Sequence, residues 1–317
     1  RTAMIILTVL LSFISLFIGT AGISVLDIFH LSDYQREVMV ISRIPRMLSI
    51  LIAGMGLSVA GVIMQLILSN RFVSPSTGST IEWAKLGLLS AILLFPGLSS
   101  VGQMVISLLF AFGGTLLFLY ILQVIKLKDA MLVPLVGIVF GNIVNSVTTF
   151  IGYQYDMIQN VTAWLQGSFI MILQGRYEML FISIPCLGLA MIYASRFTLI
   201  SMGRDISKAL GVRYMASIQI GLVIIAVISA SVVVTVGVIP FVGMVIPNIV
   251  RIYRGDHLEK NIIDIALLGA VFLLISDIIS RLIISPFEIP ISVTVGVLGC
   301  SLFIGRLLWR GGQHEAR

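Results

Sequence analysis

The chain has 317 residues, 58% of them hydrophobic and only 11% charged, with a formal net charge of +6. A soluble domain carries about 25% charged residues, so the composition excludes a water-soluble enzyme or nucleic-acid-binding domain. Apolar runs near the roughly 20 residues that cross a bilayer recur from end to end, and the basic residues fall between them, where they orient a membrane protein.

Ten spans are expected in chain order, in one domain covering 1–317. The first, 3–22, has no small-residue cleavage site and reads as a span, not a signal peptide. The second, 45–67, opens on SRIPRML (42–48). Arg43 and Arg46 flank Pro45, a residue tolerated at a helix start. Their guanidinium groups either grip carboxylates of a docking protein or anchor the helix by snorkelling. Gly54, Gly56 and Gly61, with Gly137 and Gly141, allow close helix approach. Gln65, Asn70 and Pro75, at the far end of this span, suggest an inner gate or a chain reversal.

The third span, 78–95, is short and carries Glu82 and Lys85 three residues apart, on one helix face. Charges at membrane depth are candidates for a proton relay or a polar-substrate contact, against the alternative of a structural ion pair. Spans at 101–122, 131–151 and 178–195 follow. A cytoplasmic loop at about 196–213 then contains TLISMGRDISKALGV (198–212). It reads as a short amphipathic helix between Gly203 and Gly211. Ile206, Ala209 and Leu210 share one face, and Arg204, Asp205 and Lys208 are polar. Such a helix lies in a partner's groove or at the membrane interface.

After 214–236 comes GVIPFVGMVIPNIVRIYRGDH (237–257), where Pro240 and Pro247 interrupt the eighth span, 239–253. Broken backbone at membrane depth persists where it is buried in protein or lines a water-filled path. The ninth span, 262–280, carries Asp277, one turn before Arg281. RLIISPFEIP (281–290) then forms a stiff turn around Glu288 before the tenth span, 290–309. Here Arg281 either joins the basic rim or pairs with Asp277, and Glu288 caps the tenth helix. Cys186 and Cys300 lie in apolar runs and read as small buried hydrophobes.

With both termini in the cytoplasm, fourteen Lys and Arg fall inside and five outside, with Lys85 within a span. This bias supports an even span count. The sequence has no G-x-x-x-x-G-K-[ST] loop, no nucleophile elbow and no H-E-x-x-H, so the chain is not expected to be an enzyme or to hydrolyse ATP itself. The expected class is an all-α polytopic membrane protein of about ten transmembrane helices.

Taken together, these motifs resemble the FecCD-type permeases, the membrane subunits of ABC importers for iron–siderophores, haem and cobalamin. Arg43–Arg46 (RIPR) is similar to the family's R-L-P-R. Gln65, Asn70 and Pro75 resemble its Q-x-x-x-x-N-P-L-A-x-P. Gly203, Ala209, Leu210, Gly211 and Val212 resemble its coupling loop. GVIPFVG (237–243) with Pro247 and Arg251 resembles its G-x-I-x-F-V-G-L-x-x-P-H-x-x-R. Asp277, Arg281, Glu288 and Pro290 resemble its A-D-x-x-A-R…E-x-P. Arg71, Asn248 and Trp83 depart from the pattern, standing where a proline, a histidine and a glycine are usual.

The resemblance implies a cobalamin-importer-like permease fold in a bacterial cytoplasmic membrane. It implies a second permease subunit, identical or homologous, and two cytoplasmic ATPases that use ATP and Mg²⁺, with no cofactor on this chain. It also implies an extracytoplasmic binding protein that engages Arg43, Arg46 and Arg281. Gly203, Arg204, Asp205, Ala209, Leu210 and Gly211 are the expected ATPase-coupling residues. Path or gate candidates are Gln65, Asn70, Pro75, Glu82, Lys85, Pro240 and Pro247. TIEWAKLGLL (80–89) looks like a subgroup handling catecholate siderophores such as petrobactin or enterobactin. Haem and cobalamin remain alternative cargoes, and a proton-coupled secondary transporter is the rival mechanism.

Overall fold

The computed structural model describes residues 1–19, 32–75, 79–125, 132–170, 172–175, 177–255 and 257–315. Lys126, Lys128, Arg176 and Asp256 lie outside the described residues. The elements are α1 (Thr2–Phe17), α2 (Asp33–Val38), a π-turn (Met39–Arg43), α3 (Ile44–Ile67), α4 (Thr80–Leu94), α5 (Ser100–Ile125), α6 (Leu132–Gln154) and α7 (Ile158–Leu165). A 3₁₀ turn (Tyr177–Ile182) leads to α8 (Ser183–Ile192), α9 (Ala194–Ile200), α10 (Arg204–Ala209), α11 (Tyr214–Val236), α12 (Val242–Arg254), α13 (Leu258–Leu282) and α14 (Ile291–Glu315). The expected spans fall on helical stretches, but the sixth, 178–195, is a 3₁₀ turn and parts of two helices, and the first ends at Phe17 and not at 22. Among the described residues, five helices are long and apolar enough to cross a membrane, or six if the pair bent by 63° between Ile192 and Ala194 counts as one span.

The second span begins earlier than its proline suggested. α2 starts at Asp33 behind a Ser32/Gln35 capping box and runs through the π-turn into α3, a continuous helix from Asp33 to Ile67. Pro45 therefore sits inside a helix, where it has no N–H and crowds the carbonyl four residues back. That carbonyl, of Ile41, is taken by the backbone N–H of Gln174 at 3.0 Å. The wide π-turn absorbs the misfit.

α3 is the axis of the bundle, packed against α11, α12 and α13. Its glycines bring backbones together. A Cβ on Gly54 would lie 2.6 Å from the Gly269 carbonyl oxygen, and one on Gly61 would overlap the backbone of Gly243. Close backbone approach of this kind is the van der Waals packing that joins helices in lipid.

α4 and α12 have 15 and 13 residues, so each is about 20 Å long, short of the roughly 30 Å hydrocarbon core. Both begin beside the middle of α3. Ile81, Pro75 and Leu57 line one small cavity with Val233 and Gly237, and Gly243 lies under the Leu57 carbonyl. α4 runs from this level toward the Arg43 end and α12 toward the opposite end. Both start from a non-glycine residue with positive φ, Ser79 at 58° and Phe241 at 64°, a conformation that persists only where the surroundings enforce it. The eighth span is therefore an extended stretch followed by a half-helix, not one continuous helix.

The chain breaks satisfy one another. Val238 N–H donates to the Leu165 carbonyl (3.0 Å), Ser168 N–H to Val236 (2.9 Å) and Ser292 N–H to Gly167 (3.2 Å). Two extended stretches, after α7 and after α11, thus pair through a single parallel bridge at Gln166 and Val238. Exposed backbone groups within lipid cost several kcal/mol each, so their mutual pairing is what permits both breaks. Cys186 is partly buried against the core, whereas Cys300 is exposed on α14, contrary to the expected burial.

Candidate functional site

Three regions carry the residues singled out in the sequence. At one end of the bundle, α1, α3, α13 and the turn before α14 meet in a charge cluster. Arg46 donates to Asp277 Oδ1 from Nη2 (2.8 Å) and Nε (3.2 Å), and to Glu288 Oε2 from Nη1 (2.8 Å). Arg281 pairs with the other oxygen of Asp277. It also donates to the carbonyls of Ser15 (3.0 Å) and Ile18 (2.8 Å) and to Ser15 Oγ (2.5 Å). Arg43 donates to the Leu16 carbonyl at 2.5 Å.

The last carbonyls of a helix have no partner within it and favour a cation. Arg43 and Arg281 supply that cation to the end of α1. The three arginines expected on a basic rim are thus brought together, but they turn inward. Arg43 and Arg281 are 8% and 7% exposed, and Asp277 is fully buried. The expected Asp277–Arg281 pair is present, and Glu288 holds Arg46 and not a helix end.

Toward the far end of α3, Gln65, Asn70, Pro75, Pro240 and Pro247 gather around the start of α12. Pro247 deprives the Gly243 carbonyl, four residues back, of its helical partner. Gln65 Nε2 approaches that carbonyl at 3.3 Å and those of Met244 and Val73 at 3.4 Å. Asn248 bonds the Arg71 carbonyl at 2.9 Å, and Asn70 Oδ1 accepts from Phe72 N–H at 2.9 Å. Gln65 therefore repairs the break that Pro247 makes. Gln65→Leu should strand the Gly243 carbonyl, while that of Met244 keeps Asn248 Nδ2 at 2.8 Å, and lower stability by about 1–3 kcal/mol. Thermal unfolding of the detergent-solubilised protein checks this, and an unchanged midpoint would contradict the role.

Glu82 and Lys85 stand near the start of α4. They do not pair with each other, nor does either form an ion pair or hydrogen bond among the described residues. Trp83, between them, fills a notch at Gly114, where a Cβ would overlap its ring, and lies 6.2 Å from Phe140.

The opposite end gathers α9, α10 and the start of α13. Leu258 N–H donates to Thr198 Oγ1 at 3.2 Å. Arg254 and Arg1 each approach Asp264 at 3.4 Å. α10 spans Arg204–Ala209 between Gly203 (φ 102°) and Gly211 (φ 78°), as expected. Its polar Ser207 faces inward, donating to the Leu199 carbonyl. Met202, Ile206 and Leu210 are 53%, 52% and 57% exposed. The apolar face of this helix points away from the protein.

A profile of the FecCD transport family matches residues 7–310, nearly the whole chain. The chain belongs to the FecCD transport family. It is 48% identical over 305 residues to a petrobactin import system permease of Bacillus subtilis, covering 96% of each chain. It is 39% identical over 313 residues to a petrobactin import permease of Bacillus anthracis, covering 99% of this chain and 92% of that one. A solved metal-chelate-type ABC transporter in an inward-facing conformation superposes with a TM-score of 0.84 at 27% identity, covering 98% of both chains. Sequence reading missed α7 and its pairing at 165–168, having assigned 152–177 to a loop. The only signal was Gly167, which lies under the Val238 carbonyl, where a Cβ would overlap it.

Proposed function

We propose that this chain is the permease subunit of an ATP-binding-cassette importer that carries ferric siderophore complexes, catecholate-type in preference, across the bacterial cytoplasmic membrane. The observation that carries the reading is the near-full-length similarity to petrobactin permeases, joined to family membership. In this reading the chain crosses the bilayer about ten times with both termini cytoplasmic. It works with a second permease and two ATPases, which supply the ATP chemistry.

The outward apolar face of α10 is the proposed ATPase contact, since a helix of this kind seats in a hydrophobic groove of a partner. Gly203, Arg204, Asp205, Ala209, Leu210 and Gly211 make up that contact. The extracytoplasmic binding protein is proposed to dock over Arg43, Arg46 and Arg281. Because Glu288 already occupies Arg46, a docking carboxylate competes with Glu288.

The test is ATP-dependent uptake of a ferric catecholate by the reconstituted complex; uptake that survives without the ATPase but collapses with the proton gradient would favour the secondary-transport rival. Ile206→Asp with Leu210→Asp alters two exposed side chains, so the fold should persist while ATPase co-purification falls by on the order of tenfold, as for loss of a hot-spot pair. Full co-purification would remove α10 from the proposed contact.

A further inference from the structure

The proposed function leaves two charges at membrane depth unexplained. Glu82 and Lys85 are half-buried and three residues apart on α4, close enough on a helix to pair. They pair neither with each other nor with another described residue. A charge without a partner in its own chain is served by water, a ligand or a neighbouring subunit.

The neighbouring helix supplies the setting. The Glu82 carboxylate lies against Gly141 of α6, where a Cβ would come within 3.2 Å of it. Next to Gly141, α6 carries Asn142, Asn145, Ser146 and Thr149. Asn145 is half-buried and the other three are exposed. At helical spacing these form one polar stripe, whereas Val139, Ile143, Val147 and Phe150 form an exposed apolar stripe beside it. The apolar stripe suits lipid or an apolar partner surface, and the polar one suits a wet path. Trp83, locked in the Gly114 notch and against Phe140, fixes the rotation of α4, so that Glu82 is held beside the polar stripe.

Resting on the importer reading above, we infer that Glu82 and Lys85 form a charge-reading point in the translocation path, and that the ligand it reads is a net-anionic metal chelate. The Lys85 ammonium is a mobile point charge on a flexible stem and meets the anionic chelating oxygens as the ligand passes. Glu82 accepts hydrogen bonds from donors at the ligand's edge. It also keeps the local charge near zero, so that the chelate is guided without being trapped; binding that favours one state too strongly would halt the cycle.

The test uses the complete transporter in proteoliposomes, with loaded binding protein, ATP inside and a ferric tris-catecholate as probe. Lys85→Met should lower uptake by on the order of tenfold, as for the loss of one charge contact. ATPase stimulation by the loaded binding protein should stay within about twofold of wild type, because the charge touches neither partner in this reading. Lys85→Arg should restore most of the uptake. Glu82→Gln should lower both the half-saturating concentration and the maximal rate. Uptake by Lys85→Met within twofold of wild type, or Lys85→Arg no better than Lys85→Met, would overturn the inference. Should Lys85→Met fail to assemble, unchanged half-saturation and rate in Glu82→Gln overturns it equally. If the wild-type complex accumulates no ferric chelate, the importer reading falls first, and this inference with it.

Discussion

An Asp277→Ala permease is expected to lose about 3–5 kcal/mol of stability, the usual consequence of removing one partner of a buried ion pair. Asp277 is fully buried and accepts from both Arg46 and Arg281. Without it, Arg281 retains only neutral acceptors at the end of α1, and Arg46 retains only Glu288. The charge cluster then changes from three arginines against two carboxylates to three against one, in a site nearly closed to water. The loss should appear as a lower thermal midpoint in detergent and poor recovery of the assembled complex. Asp277→Asn keeps the shape and one acceptor, so its effect should be smaller. Equal midpoints for Asp277→Ala and wild type would mean that the cluster contributes nothing to the fold.

The second large effect is expected at Gly61. Any side chain there meets the carbonyl oxygen, Cα and carbonyl carbon of Gly243. These are backbone atoms, so no rotamer change relieves the clash and α12 must move. Overpacking of a tight site costs about 1–3 kcal/mol when side chains can yield. Gly61→Val should therefore fall at or beyond the upper end of that range and displace the Gln65 contacts as well. Gly113 gives the matched control, because a Cβ there meets nothing within 4 Å. Gly113→Ala should melt with the wild type, whereas a Gly61→Val protein of wild-type stability would refute the backbone contact.

Much of the architecture was legible because the bilayer imposes length and hydropathy together. The expected apolar segments fall on helical stretches, five or six of them long and apolar enough to cross a membrane among the described residues, and the short ones around Glu82 and around Pro247 are the half-helices. The glycines of α3 were legible as packing residues for the same reason. What could not be read was the repair of each break. Pro247 is plain in the sequence, but Gln65, which serves its stranded carbonyl, lies 178 residues away. Pro45 is equally plain, yet the N–H that answers it belongs to Gln174, in a stretch with no periodicity. α7 was invisible for a related reason: its importance comes from pairing with residues 236–238, and neither strand-like piece is long enough to alternate.

The arginines illustrate a different limit. A motif such as RIPR announces positive charge at an outer surface, and a grip on a partner is its natural reading. Nothing in the local sequence tells that α1 ends with open carbonyls beside it, or that Asp277 stands within reach. Those facts depend on how α1 lies against α13, and only the assembled bundle supplies them.

The glycine seams along α3 also have a mechanical meaning. Packed interiors have low compressibility and transmit strain. α3 meets α12 and α13 backbone to backbone at Gly61–Gly243 and Gly54–Gly269, so these three helices behave as one stiff girder. One end of that girder carries the Arg46–Asp277 clasp, and the other carries Arg254 and Asp264. α9, on which α10 packs, rests against both α3 and α13, so α10 is tied to one end of this girder.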